Sequence, residues 1–140
     1  FMNICYLHIG GEEIPVHQKY IQHRHLETGV QEAEYKYKFV TFWMALNQDN
    51  FNKYKQSDCA KQNQMLKNVL TANILSFFKG INHWEDHNIA IQLNVAERRT
   101  QFKNKSMLAF TGTFNTNVLL PPYIGLGKSV ARGFGTIIQD

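Results

Sequence analysis

The chain of 140 residues reads as an α+β domain in which strands and helices follow in the order βαββαβ. Three stretches carry that reading. Tyr35 to Trp43 alternates residue by residue, with Tyr35, Tyr37 and Phe39 on one side and Lys36 and Lys38 on the other, the period of a strand with one buried face. Ala60 to Lys79 places Met65, Leu66, Val69, Leu70, Ile74, Phe77 and Phe78 at helical spacing, interrupted by Asn73. Ile89, Ile91, Leu93 and Val95 then alternate with Ala90, Gln92 and Asn94, and Lys105 to Asn117 follows as the partner strand.

The remaining elements fall around these. Phe1 to Ile9 and Ile14 to Leu26 predict two strands joined at Gly10-Gly11, with Pro15 placing the second at a sheet edge. Residues 1–34 are therefore expected to form a β-hairpin or linker, or the end of a preceding domain, and residues 35–140 the domain proper. Gln48-Asp49-Asn50 starts a short helix over Asn50–Lys55, Ser57-Asp58 restarts the chain, and Gly80 is placed to end the main helix. Asn73 on the apolar stripe is either a hydrogen-bonded interior amide or a contact to another domain. Glu97 to Asn104 is expected as the loop of a hairpin, followed by a short helix over Leu119–Ile124, a glycine-rich loop and a last strand over Phe134–Ile138. The aromatic and lysine alternation of Tyr35–Phe39 fits a core strand better than an open sheet on which bases stack.

Composition narrows the function. A chain that is 44% hydrophobic and 13% aromatic can bury a core. It has no apolar run near the ~18 residues of a membrane span and no recognisable leader, so a cytoplasmic protein without membrane contact is expected. Cys5 and Cys59 fit no metal spacing and are expected as two free thiols. Charge is unevenly spread. Residues 1–34 carry Glu12, Glu13, Glu27, Glu32 and Glu34 against Lys19 and Arg24, whereas from Arg98 onward Arg98, Arg99, Lys103, Lys105, Lys128 and Arg132 face Asp140 alone. Clustered positive charge suits a polyanion.

Two histidine groups are candidates for chemistry. Gln22-His23-Arg24-His25 would put His23 and His25 on one face of a strand, either as acid/base groups or as surface histidines. His83-Trp84-Glu85-Asp86-His87 lacks the second-position Glu of a zinc protease helix and sits between Asn82 and Asn88, which favour a turn; no metal is expected there.

The glycine-rich stretch holds Gly125, Gly127, Gly133 and Gly135, with Lys128, Ser129 and Arg132 between the pairs. Two cations, a hydroxyl and backbone amides suit a phosphate. A P-loop would need glycine where Pro122 stands, and a dinucleotide fingerprint would need glycine at Val130, so neither motif fits. Gly-x-Gly followed by Gly-Phe-Gly does resemble the glycine-rich loop of the CRISPR-associated endoribonucleases that cut repeat RNA, the Cas-six family. Thr41 to Asn47, Ala72 to Ser76, and Phe110 to Phe114 with Leu120-Pro121 resemble further blocks of that family's C-terminal half.

This resemblance implies a ferredoxin-like α+β domain, the second of two in a longer protein. It implies binding of CRISPR repeat RNA and cleavage by the RNA's own 2′-OH, with no cofactor or metal. Other CRISPR effector subunits or a second copy are further partners it allows. Gly125, Gly127, Lys128, Ser129, Arg132, Gly133, Gly135, Arg98 and Arg99 are then the expected RNA contacts, and His23 and His25 the catalytic candidates within this chain. The alternatives are a non-catalytic RNA-binding or scaffolding protein of the same fold and, more remotely, another RNA-processing or DNA-repair enzyme on the same scaffold.

Overall fold

The computed structural model describes residues 2–140; Phe1, part of the expected first strand, lies outside the described residues. The elements are β1 Tyr6–Ile9, β2 Glu12–Pro15, β3 Gly29–Phe39, α1 Gln48–Gln56, α2 Cys59–Gly80, β4 Ile91–Phe102, β5 Lys105–Leu119 and β6 Ile137–Gln139. β3, β4, β5 and β6 form one antiparallel sheet in the order β4-β5-β3-β6. That order, with helices between the first two strands, is the ferredoxin-like arrangement. Its second helix has shrunk to a single 3-10 turn, Val130–Arg132.

The core lies between the sheet and α2. Leu66, Leu70, Ile74 and Phe78 are buried at four-residue spacing along α2, and Tyr37, Phe39, Trp43, Phe110 and Phe114 meet them. Lys36 and Lys38 point the other way and both pair with Asp140 (2.8 and 3.8 Å). The tyrosines and phenylalanine of β3 are thus core, and the outer sheet face offers polar groups in place of stacking rings. Asn47 caps α1 by accepting from the Asn50 amide (2.7 Å), and Asp58 caps α2 by accepting from Lys61 (2.9 Å). Tyr54 fixes α1 to β4 by donating to Glu97 (2.9 Å); burial first, then that bond, pushes its hydroxyl up. The Asn73 amide accepts from the buried Trp43 indole (3.0 Å), which identifies it as an interior hydrogen-bonding group.

Several boundaries differ from expectation. β3 opens at Gly29, upstream of Tyr35, through a bulge between Val30 and Tyr35 whose residues 31–34 are exposed and lack the apolar alternation that marks a strand. α2 runs through Gly80, and the left-handed residue that stops it is Asn82 (φ 55°), with the His83 amide closing on Phe78 (2.9 Å). No helix forms over Leu119–Ile124, where β5 continues to Leu119 and Pro121-Pro122 follow. The last strand is shorter than Phe134–Ile138. β2 ends at Pro15, with one further bond from Val16 to Cys5 (2.7 Å), and residues 16–28 have no strand partner. The β1–β2 ribbon therefore stands as a separate two-stranded sheet, its Leu7, Ile9 and Ile14 side chains exposed. Cys5 and Cys59 are free and exposed.

The entry to β3 is held by a carboxylate. The nearly buried Glu85 side chain accepts from the Val30 amide (2.9 Å) and the His87 amide (3.1 Å), and both the His87 Nδ1 (2.7 Å) and the His83 Nε2 (3.3 Å) face it. The Val30 amide, ahead of the histidines, holds its carboxyl down at about 2 although burial pulls the other way; the Glu85 bond and then Asp86 push His87 up. A depressed carboxyl contributes stability that is whole above its ordinary value of 4.5 and vanishes as pH falls toward 2. The raised imidazole contributes below 6.5 and is lost as pH rises through its folded value. Glu85→Gln should therefore lower the melting temperature most between about pH 5 and 6, with the gap to the parent narrowing on both sides. A gap of constant width from pH 2 to 8 would show that the clamp works by shape and not by charge.

Candidate nucleic-acid interface

β4 and β5 run well past the sheet as a two-stranded ribbon. Their register is unbroken from Ile91↔Thr116 to Phe102↔Lys105, and the turn consists of Lys103 and Asn104 alone, both left-handed (φ 51° and 60°). Arg98 and Arg99, expected in a loop, lie inside this paired strand opposite Ala109 and Leu108. Neighbouring strand residues face opposite ways, so the two arginines leave the ribbon from opposite faces. The Arg98 guanidinium donates to the Glu97 carbonyl (2.8 Å). The ribbon instead carries Phe102, Lys103 and Lys105 to the glycine loop. There Phe102 meets Phe134 edge to face (5.7 Å between ring centres), and the Arg132 guanidinium and Lys103 ammonium lie 5.2 and 5.5 Å from the Phe102 ring centre.

The loop itself is a closed corner. Lys128 donates its amide to Met44 (3.0 Å), Gly135 to Phe42 (2.8 Å), Leu126 to Gly135 (3.0 Å), Arg132 to Ser129 (2.9 Å) and Gly133 to Val130 (3.0 Å). The Lys128 and Gly135 amides hold the loop on the segment after β3, and the other three close bonds within the loop itself. Two of the glycines serve this closure by contact. A Cβ on Gly127 would lie 2.8 Å from the Trp43 indole nitrogen, and one on Gly135 would collide with the Leu126 carbonyl; both have positive φ (97° and 72°). Gly125 is tight against Val130, whereas Gly133 faces open space and needs only its φ of 89°. Ser129 is left-handed and half-buried, with no side-chain hydrogen bond as a cap.

Charged side chains also project from the corner. Lys128 and Arg132 are both exposed. A groove of about 510 Å³ between the ribbon tip, the start of α1 and the loop is lined by Lys103, Lys105 and Lys128 with Phe51, Phe102 and Asn47 among their neighbours. A second cavity, of about 360 Å³, is lined by Arg132, Gly133 and Phe134 and by Val40–Phe42 and Thr111. The two adjoin across the Phe102–Arg132 contact. Four cations line them and no carboxylate does. Sequence reasoning named Lys128 and Arg132, counted Lys103 and Lys105 only within the basic stretch from Arg98 onward, and missed Phe102 and Phe134. The signal available was the Phe102-Lys103 step at the turn.

His23 and His25 do not join this site. Their rings stand edge to face 4.8 Å apart on an exposed segment outside any strand, which replaces the expected shared strand face. Glu85, Asp86 and His87 gather three ligand-type atoms, but Glu85 is already committed to Val30 and to the two imidazoles.

The domain thus joins a ferredoxin-like sheet to a cation-lined ribbon tip set against a glycine corner. Residues 29–140 match the family model of the Cas6b C-terminal domain. Two solved structures are similar, "Crystal structure of Cas6b" and "Crystal structure of CRISPR RNA processing endoribonuclease Cas6b". Each has a TM-score of 0.80 and 38% identity over 81% of this chain. The match covers 67% of the first chain and 58% of the second. An uncharacterized protein of Methanocaldococcus jannaschii, MJ0978, is 33% identical over 139 residues, covering 99% of this chain and 95% of that one. The chain belongs to the Cas6b family and carries its C-terminal domain. Among the described residues, no helix is long and apolar enough to cross a membrane.

Proposed function

We propose that this chain is the RNA-holding part of a CRISPR precursor-RNA endoribonuclease, with Lys103, Lys105, Lys128 and Arg132 as its phosphate contacts. The observation that carries this reading is the pair of adjoining cavities lined by those four cations and by no carboxylate. Arg98 and Arg99 extend the positive charge along the ribbon and Ser129 adds a hydroxyl, while Gly125, Gly127, Gly133 and Gly135 shape the corner that presents Lys128 and Arg132.

In the cleavage this reading entails, the 2′-oxygen bonds to the adjacent phosphorus and the bond to the 5′-oxygen breaks. A base takes the 2′-proton, an acid protonates the leaving oxygen, and cations stabilise the phosphorane; no metal is required. Neither cavity contains an imidazole or a carboxylate for the acid/base steps. We place those groups outside the two cavities, in line with the preceding domain that the family resemblance implies, and His23 and His25 are the first to replace within this chain. If they contribute nothing, the domain is a non-catalytic RNA holder.

Lys103, Lys105 and Lys128 all changed to Ala should weaken binding of single-stranded repeat RNA. The slope of log affinity against log salt should fall by about 0.7 per lost contact, about 2 in all. An unchanged slope would remove the groove from the interface. Cleavage by the 140-residue chain in chelator should stay near background, since acid/base groups contribute roughly 10²- to 10⁴-fold each. Efficient cutting that survives His23→Ala with His25→Ala would place the acid/base groups elsewhere in the domain.

A further inference from the structure

We propose that the cavity of about 360 Å³ beside the glycine corner is a seat for a single unpaired nucleobase, so that the site reads bases as well as phosphates. This deepens the RNA-binding reading above and rests on it. The volume falls in the range of roughly 300–1,000 Å³ found for small-molecule sites. Its lining combines what a base requires: the rings of Phe42 and Phe134, the planar guanidinium of Arg132, the hydroxyls of Thr41 and Thr111, and Val40. Bases stack on aromatic faces and on guanidinium planes, and their edges need hydrogen-bonding groups.

The stacking surfaces are held in place before any ligand arrives. Arg132 has no carboxylate partner among the described residues; its guanidinium lies 5.2 Å from the Phe102 ring centre, and Phe102 is braced at right angles by Phe134 (5.7 Å, 89°). Thr41 Oγ1 accepts from the Thr136 amide (2.9 Å), which leaves its O–H to donate to a ring nitrogen or a carbonyl. The Thr111 hydroxyl makes no protein hydrogen bond among the described residues and has both roles free. Gly133 lines the same cavity, and a Cβ there would touch nothing within 4 Å, so the loop leaves the space beside it open.

The position fits a base that belongs to a strand. Phe102 lines the lysine groove and also contacts Arg132 and Phe134, so one aromatic wall separates the two cavities. A strand with phosphates against Lys103, Lys105 and Lys128 can turn one base around that wall. A duplex cannot do so without unpairing, which makes single-stranded RNA the fitting partner.

The test compares two probes by fluorescence anisotropy at one salt concentration: an adenosine oligoribonucleotide of about 12 units, and the same backbone with abasic ribose throughout. The chain should bind the adenosine strand about 5- to 150-fold more tightly, the effect of one stacked base. Phe134→Leu, and separately Val40→Trp, which fills the cavity from a half-exposed position, should bring that ratio close to one, with folding of each variant checked by its unfolding curve. Equal binding of both probes by the parent overturns the base seat and leaves the phosphate reading intact. Failure of both probes to bind overturns the RNA reading itself. A preference for adenosine that persists in both variants places base reading elsewhere and also overturns the seat.

Discussion

Gly135→Ala destabilises the chain by about 3 kcal/mol or more, the largest loss expected from any single replacement in the glycine loop. The new methyl group collides with the Leu126 carbonyl and lies 3.0 Å from its carbon, on a residue whose φ is +72°. Neither neighbour can retreat. Leu126 is buried in the core and its amide is bonded to the Gly135 carbonyl, while the Gly135 amide is bonded to Phe42. Strain from positive φ costs about 1–2 kcal/mol, and overpacking typically adds about 1–3. Gly127→Ala meets Trp43 and the Met44 carbonyl at 2.8–2.9 Å and should follow closely, whereas Gly133→Ala has open space and should cost only about 1 kcal/mol. Urea unfolding of the three variants gives the order. If Gly133→Ala proves as damaging as Gly135→Ala, contact with Leu126 is not what fixes the corner.

Trp43→Ala is expected to cost about 3–5 kcal/mol, at the upper end for a core aromatic. The indole is completely buried, stacks on Phe39 (5.2 Å between ring centres, 5° between planes) and tilts against Phe110. It also lies beneath Gly127, and its backbone bonds to Phe110 in both directions (2.8 and 2.9 Å). Trp43→Phe separates packing from polarity. It keeps a ring but strands the Asn73 carbonyl oxygen, so it should cost less than the alanine change. Asn73→Ala should then be cheaper when combined with Trp43→Phe than in the parent. A double-mutant cycle reads this coupling, expected at about 1 kcal/mol. Additive effects of the two changes would mean that the Trp43–Asn73 hydrogen bond contributes nothing net.

The periodic parts of this fold were legible in the sequence because periodicity is set by burial. The stripe on α2 and the alternation in β3 and β4 each record which side chains meet the core. What could not be read was set by partners distant in sequence. Residues 31–34 join β3 only through a bulge paired to β5, and nothing local marks them as strand. Arg98 to Gln101 look like a loop by composition, yet pairing with Ser106 to Ala109 keeps them extended. Conversely, Val16 to Leu26 has strand-forming residues and no partner, so no strand forms beyond Pro15. At the site, Lys128 and Arg132 stood out because glycines flank them. Phe102 did not, because its role arises only when the ribbon tip arrives beside Arg132 and Phe134. Glycine content marks tight backbone, and part of that tightness here serves docking on Phe42–Met44, a partner the loop's own sequence does not reveal.

The lateness of β6 has a consequence for synthesis. The glycine corner is closed by bonds from Tyr123 to Ile137, from Ile137 to Ile124, and from Val40 to Thr136, and β6 pairs with β3 across nearly the whole domain. Contacts between residues so far apart in sequence must overcome the entropy of closing the intervening loop, and they form late. A nascent chain still attached to the ribosome before Ile137 has emerged can fold α2 and the β4–β5 ribbon but cannot present Lys128 and Arg132 in their final places. A chain cut short before Ile137 thus lacks the assembled corner.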